Sequence, residues 1–200
     1  MDISLVKALS GIRLAIGDTA QKAANRRLTM YDNIKCKPGC SGCCAQLREI
    51  SIAEAVIAHQ KLVADKLWEV VRPRALAQFK IAQETSPLSW FKMNIKCPML
   101  DADTQLCMVY PVRPAVCSTH FVSSDPEGCS PWSVKKVGYH PVPMVDLLID
   151  FQKRLSSSVA AFGIMSFMAP IPVALLIAEK IQMRTNLNLP ELIRIIMHEF

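Results

Sequence analysis

Glycine is scarce in this chain: seven residues among 200, with no Gly-x-Gly anywhere. That excludes the glycine-rich turn on which nucleotides and S-adenosylmethionine are commonly seated, so any chemistry with them would need another binding mode or a partner. Basic blocks are missing too. Lys and Arg number 23 against 17 Asp and Glu, a formal charge of +6, yet they are scattered, and Arg26-Arg27 is the only tight basic pair near the start. Without a basic strip interleaved with aromatics, the charge serves solubility, and nucleic acid is not an expected partner. Met1 to Lys7 shows no cationic segment followed by an unbroken apolar run. No secretion signal is expected, and the chain is assigned to the reducing cytoplasm. Asp101-Ala102-Asp103 is without the glycine and distal glutamate of a calcium loop and reads as a turn.

What is abundant is cysteine. Four of eight thiols, Cys36, Cys40, Cys43 and Cys44, fall within nine residues, and Cys97, Cys107, Cys117 and Cys129 follow at wider spacing. Pro38, Gly39 and Gly42 make the first group a tight turn, which lets sulfurs and backbone N–H groups converge. With 51% hydrophobic residues the chain has enough apolar surface for a core without disulfide staples. In a reducing compartment such thiols bind metal or do redox chemistry more often than they form bridges. A tetrahedral zinc or a [4Fe-4S] cluster takes about four thiolates. Eight would satisfy two sites, or one site plus a redox or structural set. Cys43 and Cys44 are neighbours, so one faces the site while the other packs beneath it or serves a second.

Arg113, four residues before Cys117, is suited to charge-assisted bonds with bound thiolates or nearby carbonyls, or to pairing with a surface carboxylate. His120 is the only histidine at ligand-like spacing from a cysteine, whereas His59 reads as a surface or core residue. Cys40-x-x-Cys43 has the spacing of a thiol oxidoreductase, but the setting reads all-α and not βαβ.

The fold class is mainly α: a helical bundle enclosing a cysteine-rich irregular region with at most a small β-hairpin. One domain is expected, with a helical segment over 1–33, the cysteine region over 34–130 and apolar helices over 143–200. Ile3, Val6, Leu9, Ile12, Ile16, Ala20 and Ala23 recur at helical spacing over 2–29. Ser51-x-x-Glu54 has the spacing of a capping box and starts a helix to about Arg72, with Val56, Leu62, Val63, Leu67 and Val70 inward. Pro73 kinks or ends it before a second piece to Glu84. Residues 93–95 and 106–110 are expected as short strands of a hairpin carrying Cys97 and Cys107. A helix over 145–169, a break at Pro170 and Pro172, a helix over 173–183 and a last one from Pro190 to Phe200 complete the chain. Residues 155–178 carry no charge. The Pro-x-Pro, Gly163, the serine run 156–158 and the missing Trp or Tyr anchors favour a buried helical hairpin, packed on the N-terminal helix, over a membrane span. Met144, Met165 and Met168 read as core filler.

The ordered set Cys36-x3-Cys40-x2-Cys43-Cys44, Ser51-x-x-Glu54, Cys97-Pro98-Met99-Leu100, Cys107 to Cys117 with Arg113-Pro114, and Cys129 resembles the YkgJ-type cysteine-cluster family over about residues 34–130. The resemblance implies a site for zinc or iron to which all eight cysteines belong. A similar cluster occurs in flagellin lysine methylase, where the likeness is to an iron-sulfur site. The chain departs from the pattern in its x3 spacing after Cys36 and in Ser118, where an arginine is usual. The expected function is therefore metal binding through thiolates, with an iron-sulfur cluster, [4Fe-4S], preferred and zinc the alternative. The role would be structural, electron-transferring or metal-sensing, with a protein partner. The competing expectation is a cluster-dependent enzyme of protein methyl transfer or thiol redox.

Overall fold

The computed structural model describes residues 3–31, 34–37, 39–131, 139–160 and 167–183. Helix α1 (Ile3–Leu28) is followed by the cysteine turn, strand β1 (Glu49–Ser51), and helices α2 (Ile52–Ala64), α3 (Trp68–Glu84) and α4 (Pro87–Met93). After a long irregular stretch come α5 (Ala115–Ser118), α6 (Val145–Ala160), β2 (Met168–Pro170) and α7 (Ile171–Met183). The expected mainly helical architecture is what folds, with one two-stranded antiparallel sheet, β1 against β2.

The principal core lies between α2, α3 and α7. Val173 to Ala178 of α7 are all buried, and α3 presents Trp68, Val71, Ala75, Phe79 and Ala82 toward them at helical spacing. A polar clasp fixes the register: Glu179, 2% exposed, accepts from Trp68 Nε1 at 2.9 Å and from Arg72 Nε at 2.6 Å. A second cluster joins α1 to α6, where Ile16 and Leu148 pack against Phe151, Leu155 and Val159. Arg27 at the end of α1 pairs with Asp146 at the start of α6 and donates to Pro143 O at 3.0 Å.

The predicted capping box starts α2: Ser51 Oγ accepts the Glu54 N–H, and Glu54 Oε2 accepts the Ser51 N–H at 3.1 Å. Its end differs from expectation. The helix stops at Ala64, nine residues before Pro73, because Leu67 N–H reaches Leu62 O at 2.7 Å and Lys66 N–H reaches Val63 O at 3.1 Å. This is the two-bond Schellman closure around a left-handed residue, Lys66 at φ 59°. Pro73 instead lies inside α3. Val63, in the last turn of α2, and Val70, on the new axis of α3, face outward at 50% and 45% exposure, while Val56 and Leu62 are buried as expected.

Residues 91–93 belong to α4, so the expected strand over 93–95 does not form. The turn between Cys97 and Cys107 does, through an antiparallel bridge of Leu100 with Cys107. Met168 to Pro170 form β2 instead of continuing a helix, because Ile52 N–H donates to Phe167 O and Ile171 N–H to Arg48 O, extending the ladder on both sides. Pro172 then sits in the first turn of α7, where its missing N–H costs nothing. Of the two apolar C-terminal helices, α6 packs on α1 and α7 on α2 and α3. Met144 is buried, but Met168 is 39% exposed and fills no core. Gly163, Met165 and the helix expected from Pro190 lie outside the described residues. Among the described residues no helix is long and apolar enough to cross a membrane.

Candidate metal centre

The cysteine turn is built from short backbone closures. Cys40 N–H donates to Lys37 O at 3.0 Å across Gly39, whose φ of 85° suits a residue without Cβ. Gly42 to Ala45 form one 3-10 turn carrying Cys43 and Cys44, and Ser41 Oγ holds Gln105 Oε1 at 2.8 Å, tying the turn to the Cys97–Cys107 segment. Gly42 sits at a close approach: a Cβ there would lie 3.0 Å from both Cys129 Cβ and Pro126 O, so that any side chain would press on Cys129. The remaining cysteines arrive from separate segments. Cys97 N–H donates to Cys44 O at 2.8 Å, and Met108 N–H to Met99 O at 2.9 Å, which sets Cys107 beside Cys97. Cys117 rides on α5, whose first N–H, that of Ala115, is accepted by Glu54 Oε1 at 2.8 Å. Cys36 is fixed by Val122, whose N–H donates to Cys36 Sγ at 3.3 Å.

Seven of the eight cysteines line one cavity of ≈ 150 Å³, together with Arg48, Arg113, His120, Gln105 and Tyr110. Cys129 is the exception: it is 2% exposed and lies behind Gly42. None of the eight forms a disulfide. They stand partly in pairs. Cys36 donates to Cys40, which drops the Cys40 thiol to about 6 and raises Cys36. Cys44 donates to Cys43 in the same way, lowering Cys43 to about 7 and raising Cys44. Burial pushes Cys97 up to about 12 and Cys129 up to about 11, and raises Cys107 and Cys117. Low-dielectric surroundings therefore hold most of the thiols protonated until a cation supplies compensating charge.

Backbone dipoles work in the opposite sense. The N–H groups of Gly42, Met99 and Val109 favour the thiolates of Cys40, Cys97 and Cys107, in each case from two residues further on. Such N–H to sulfur contacts are the surroundings that stabilise metal-bound thiolates. The Arg113 charge also favours the Cys107 thiolate, while its guanidinium stacks 4.3 Å above the Tyr110 ring.

Arg48 was not legible as a site residue. It favours the thiolates of Cys43, Cys117 and Cys129, and its Nη2 lies 3.2 Å from His120 Nδ1. Its one signal is a cation four residues after Cys44 on a segment about to become β1. His120 has its other nitrogen, Nε2, 3.4 Å from the Tyr139 hydroxyl, and the two rings stack. Burial, then the Arg48 charge, lowers His120 to about 4. With partners on both nitrogens, it links Arg48 to Tyr139 at the cavity edge. His59 is remote, buried beside Trp68 with Nδ1 2.6 Å from Gln182 Oε1.

In kind and number these donors fit a thiolate-bound zinc or iron centre. In spacing, no three His, Cys, Asp or Glu side chains among the described residues are gathered as a ligand group for one ion, so binding must exchange the S–H···S pairs for bonds to metal. A family model described as "CxxCxxCC: Putative zinc- or iron-chelating domain" matches residues 35–137, just over half of the chain. No curated protein and no solved structure matches the chain.

Proposed function

Because the chain belongs to the CxxCxxCC family of zinc- or iron-chelating domains, we propose that its cysteines hold an iron-sulfur cluster of the [4Fe-4S] type. The observation that carries this is the cavity of ≈ 150 Å³ faced by seven thiols. A tetrahedral zinc closes on four sulfurs at bonds of about 2.3 Å and encloses no open volume. The space here is several times the roughly 30 Å³ occupied by one water, which suits a polynuclear centre. The cluster's iron and sulfide would supply one-electron chemistry; the chain's own residues supply thiolates, N–H groups directed at sulfur, and the cations Arg48 and Arg113, which offset the negative charge of a reduced centre.

The role we assign is electron transfer with, or metal sensing for, a protein partner in the cytoplasm. Lys37 at the cavity edge is exposed, which favours an acidic partner surface there. Protein purified without oxygen should be brown and contain iron and acid-labile sulfide in equal amounts. A colourless protein with stoichiometric zinc and no sulfide would replace the cluster with zinc. A folded protein that binds neither metal would remove the metal reading altogether.

A further inference from the structure

Resting on the reading that the thiols hold metal, we infer that the eight cysteines form two sites. Cys44, Cys97, Cys107 and Cys117 face the cavity as one set, and Cys36, Cys40, Cys43 and Cys129 form a second, for a single divalent ion such as zinc, in the wall beside it.

The backbone sorts the first set. Cys97 N–H is bonded to Cys44 O, and Cys97 and Cys107 stand on the two arms of the turn closed by the Leu100–Cys107 bridge. Cys117 is brought to the same side by the Glu54–Ala115 bond. Electrostatic reach runs the same way apart from the bridging Cys43: the Cys44 thiol senses Cys97 and Cys117, and the Cys117 thiol senses Cys97, Cys43 and Cys107.

The second set is assembled by other contacts. Cys36 is hydrogen-bonded to Cys40 and senses Cys129 besides. Cys129 senses Cys43 and Cys40. The 3-10 turn Pro126–Cys129 is pressed against the turn Gly42–Ala45, so that a Cβ on Gly42 would meet Cys129 Cβ and Pro126 O at 3.0 Å. Cys43 reaches thiols of both groups, and assigning it to the second gives each site four ligands and splits the adjacent pair Cys43 and Cys44 between them.

The two surroundings differ in the metal they admit. All four of the first set line the cavity; of the second, Cys36, Cys40 and Cys43 stand in its wall and Cys129 lies off it, behind Gly42, where backbone and side chain are already in contact. A centre there must be compact, and four thiolates around one ion with no interior volume meet that condition.

The test measures zinc, iron and acid-labile sulfide per chain, in protein purified without oxygen and dialysed against zinc, for wild type, Cys129→Ser, Cys36→Ser, Cys117→Ser and Gly42→Ala. Wild type should hold about one zinc beside its iron. Cys129→Ser and Cys36→Ser should lose zinc and keep iron, and Cys117→Ser should lose iron and keep zinc. Gly42→Ala changes no sulfur but crowds Cys129, so it should lose zinc alone. Variants of the two sets losing the same metal, or a wild type that takes up no zinc, would overturn the division. Zinc lost only from second-set variants of a protein that contains no iron would remove the cluster yet leave the division standing. Helical circular dichroism identifies a variant that has not folded; Cys40→Ser then stands in for Cys129→Ser and Cys107→Ser for Cys117→Ser.

Discussion

Glu54 Oε1 accepts the backbone N–H of Ala115 at 2.8 Å, across 61 positions of sequence. The same carboxyl group closes the capping box through Oε2, which accepts from Ser51 N and, at 2.8 Å, from Ser51 Oγ. One buried side chain thus starts two helices, α2 on the scaffold and α5 under Cys117.

Glu54→Ala should therefore cost more than Ser51→Ala. The serine change removes a cap, worth about 0.5–2 kcal/mol. The glutamate change also leaves the buried Ala115 N–H without its partner, adding about 1–3 kcal/mol. Denaturant midpoints of the metal-free proteins check the order, and equal midpoints would dissolve the link between the helices. Metal stoichiometry should stay unchanged in Ser51→Ala.

In metal-free protein Cys40 should be the thiol alkylated first. The hydrogen bond from Cys36 brings it to about 6, whereas Cys36 itself is raised. Near neutral pH a brief iodoacetamide pulse, read by peptide mass spectrometry, should label Cys40 ahead of Cys36, Cys97 and Cys117. Its labelling rate should fall as pH drops through about 6. Cys36→Ser, whose hydroxyl is a hydrogen-bond donor of different reach, should slow the labelling, and bound metal should abolish it.

His59 predicts an acid limit to stability. Burial lowers its pKa in the folded state, and its Nε2 has no hydrogen-bond partner among the described residues to receive a proton's charge. Because the folded value lies below the unfolded one, of about 6.5, the stabilisation is complete above that pH and is lost as pH falls below it. The difference in stability between wild type and His59→Gln should thus shrink on acidification from pH 7 to 5. A constant difference would show that His59 takes up its proton equally in the folded and unfolded states, so that burial does not hold it neutral.

Replacing Arg48 by Met removes a cation that favours thiolate at Cys43, Cys117 and Cys129. Reduction adds negative charge, so if the proposed iron-sulfur cluster is what the thiols hold, its midpoint potential should become more negative. Arg48→Lys should recover part of the shift. A potential that does not move would place Arg48 in a packing role only.

The cysteine motifs, the capping box and the long first helix could be read from sequence because each is local: a spacing, a side-chain pair, a run at period 3.6. What escaped reading depends on distant partners or on a residue acting against type. The end of α2 is marked by Lys66 in the left-handed conformation usually signalled by glycine, so Pro73 drew the break to the wrong place. Strand β2 is three residues long, with Met168 facing Ser51 and Pro170 facing Glu49, and no alternation of its own announces it. Tyr139 reaches His120 from 19 positions away, after the last cysteine, where no motif points to it.

The pairing of β1 with β2 has a consequence for the order of events during synthesis. Ile171, the first residue of α7, is among the side chains that line the thiol cavity, and its N–H is bonded to Arg48 O. The wall of the cavity is thus incomplete on a nascent chain until that residue has left the ribosome, long after all eight cysteines have emerged. Contacts so far apart in sequence form late, so the thiols spend that interval exposed, and metal should be inserted after translation. Chains arrested at Ala160 should accordingly bind metal more weakly and be alkylated at more cysteines than the full chain.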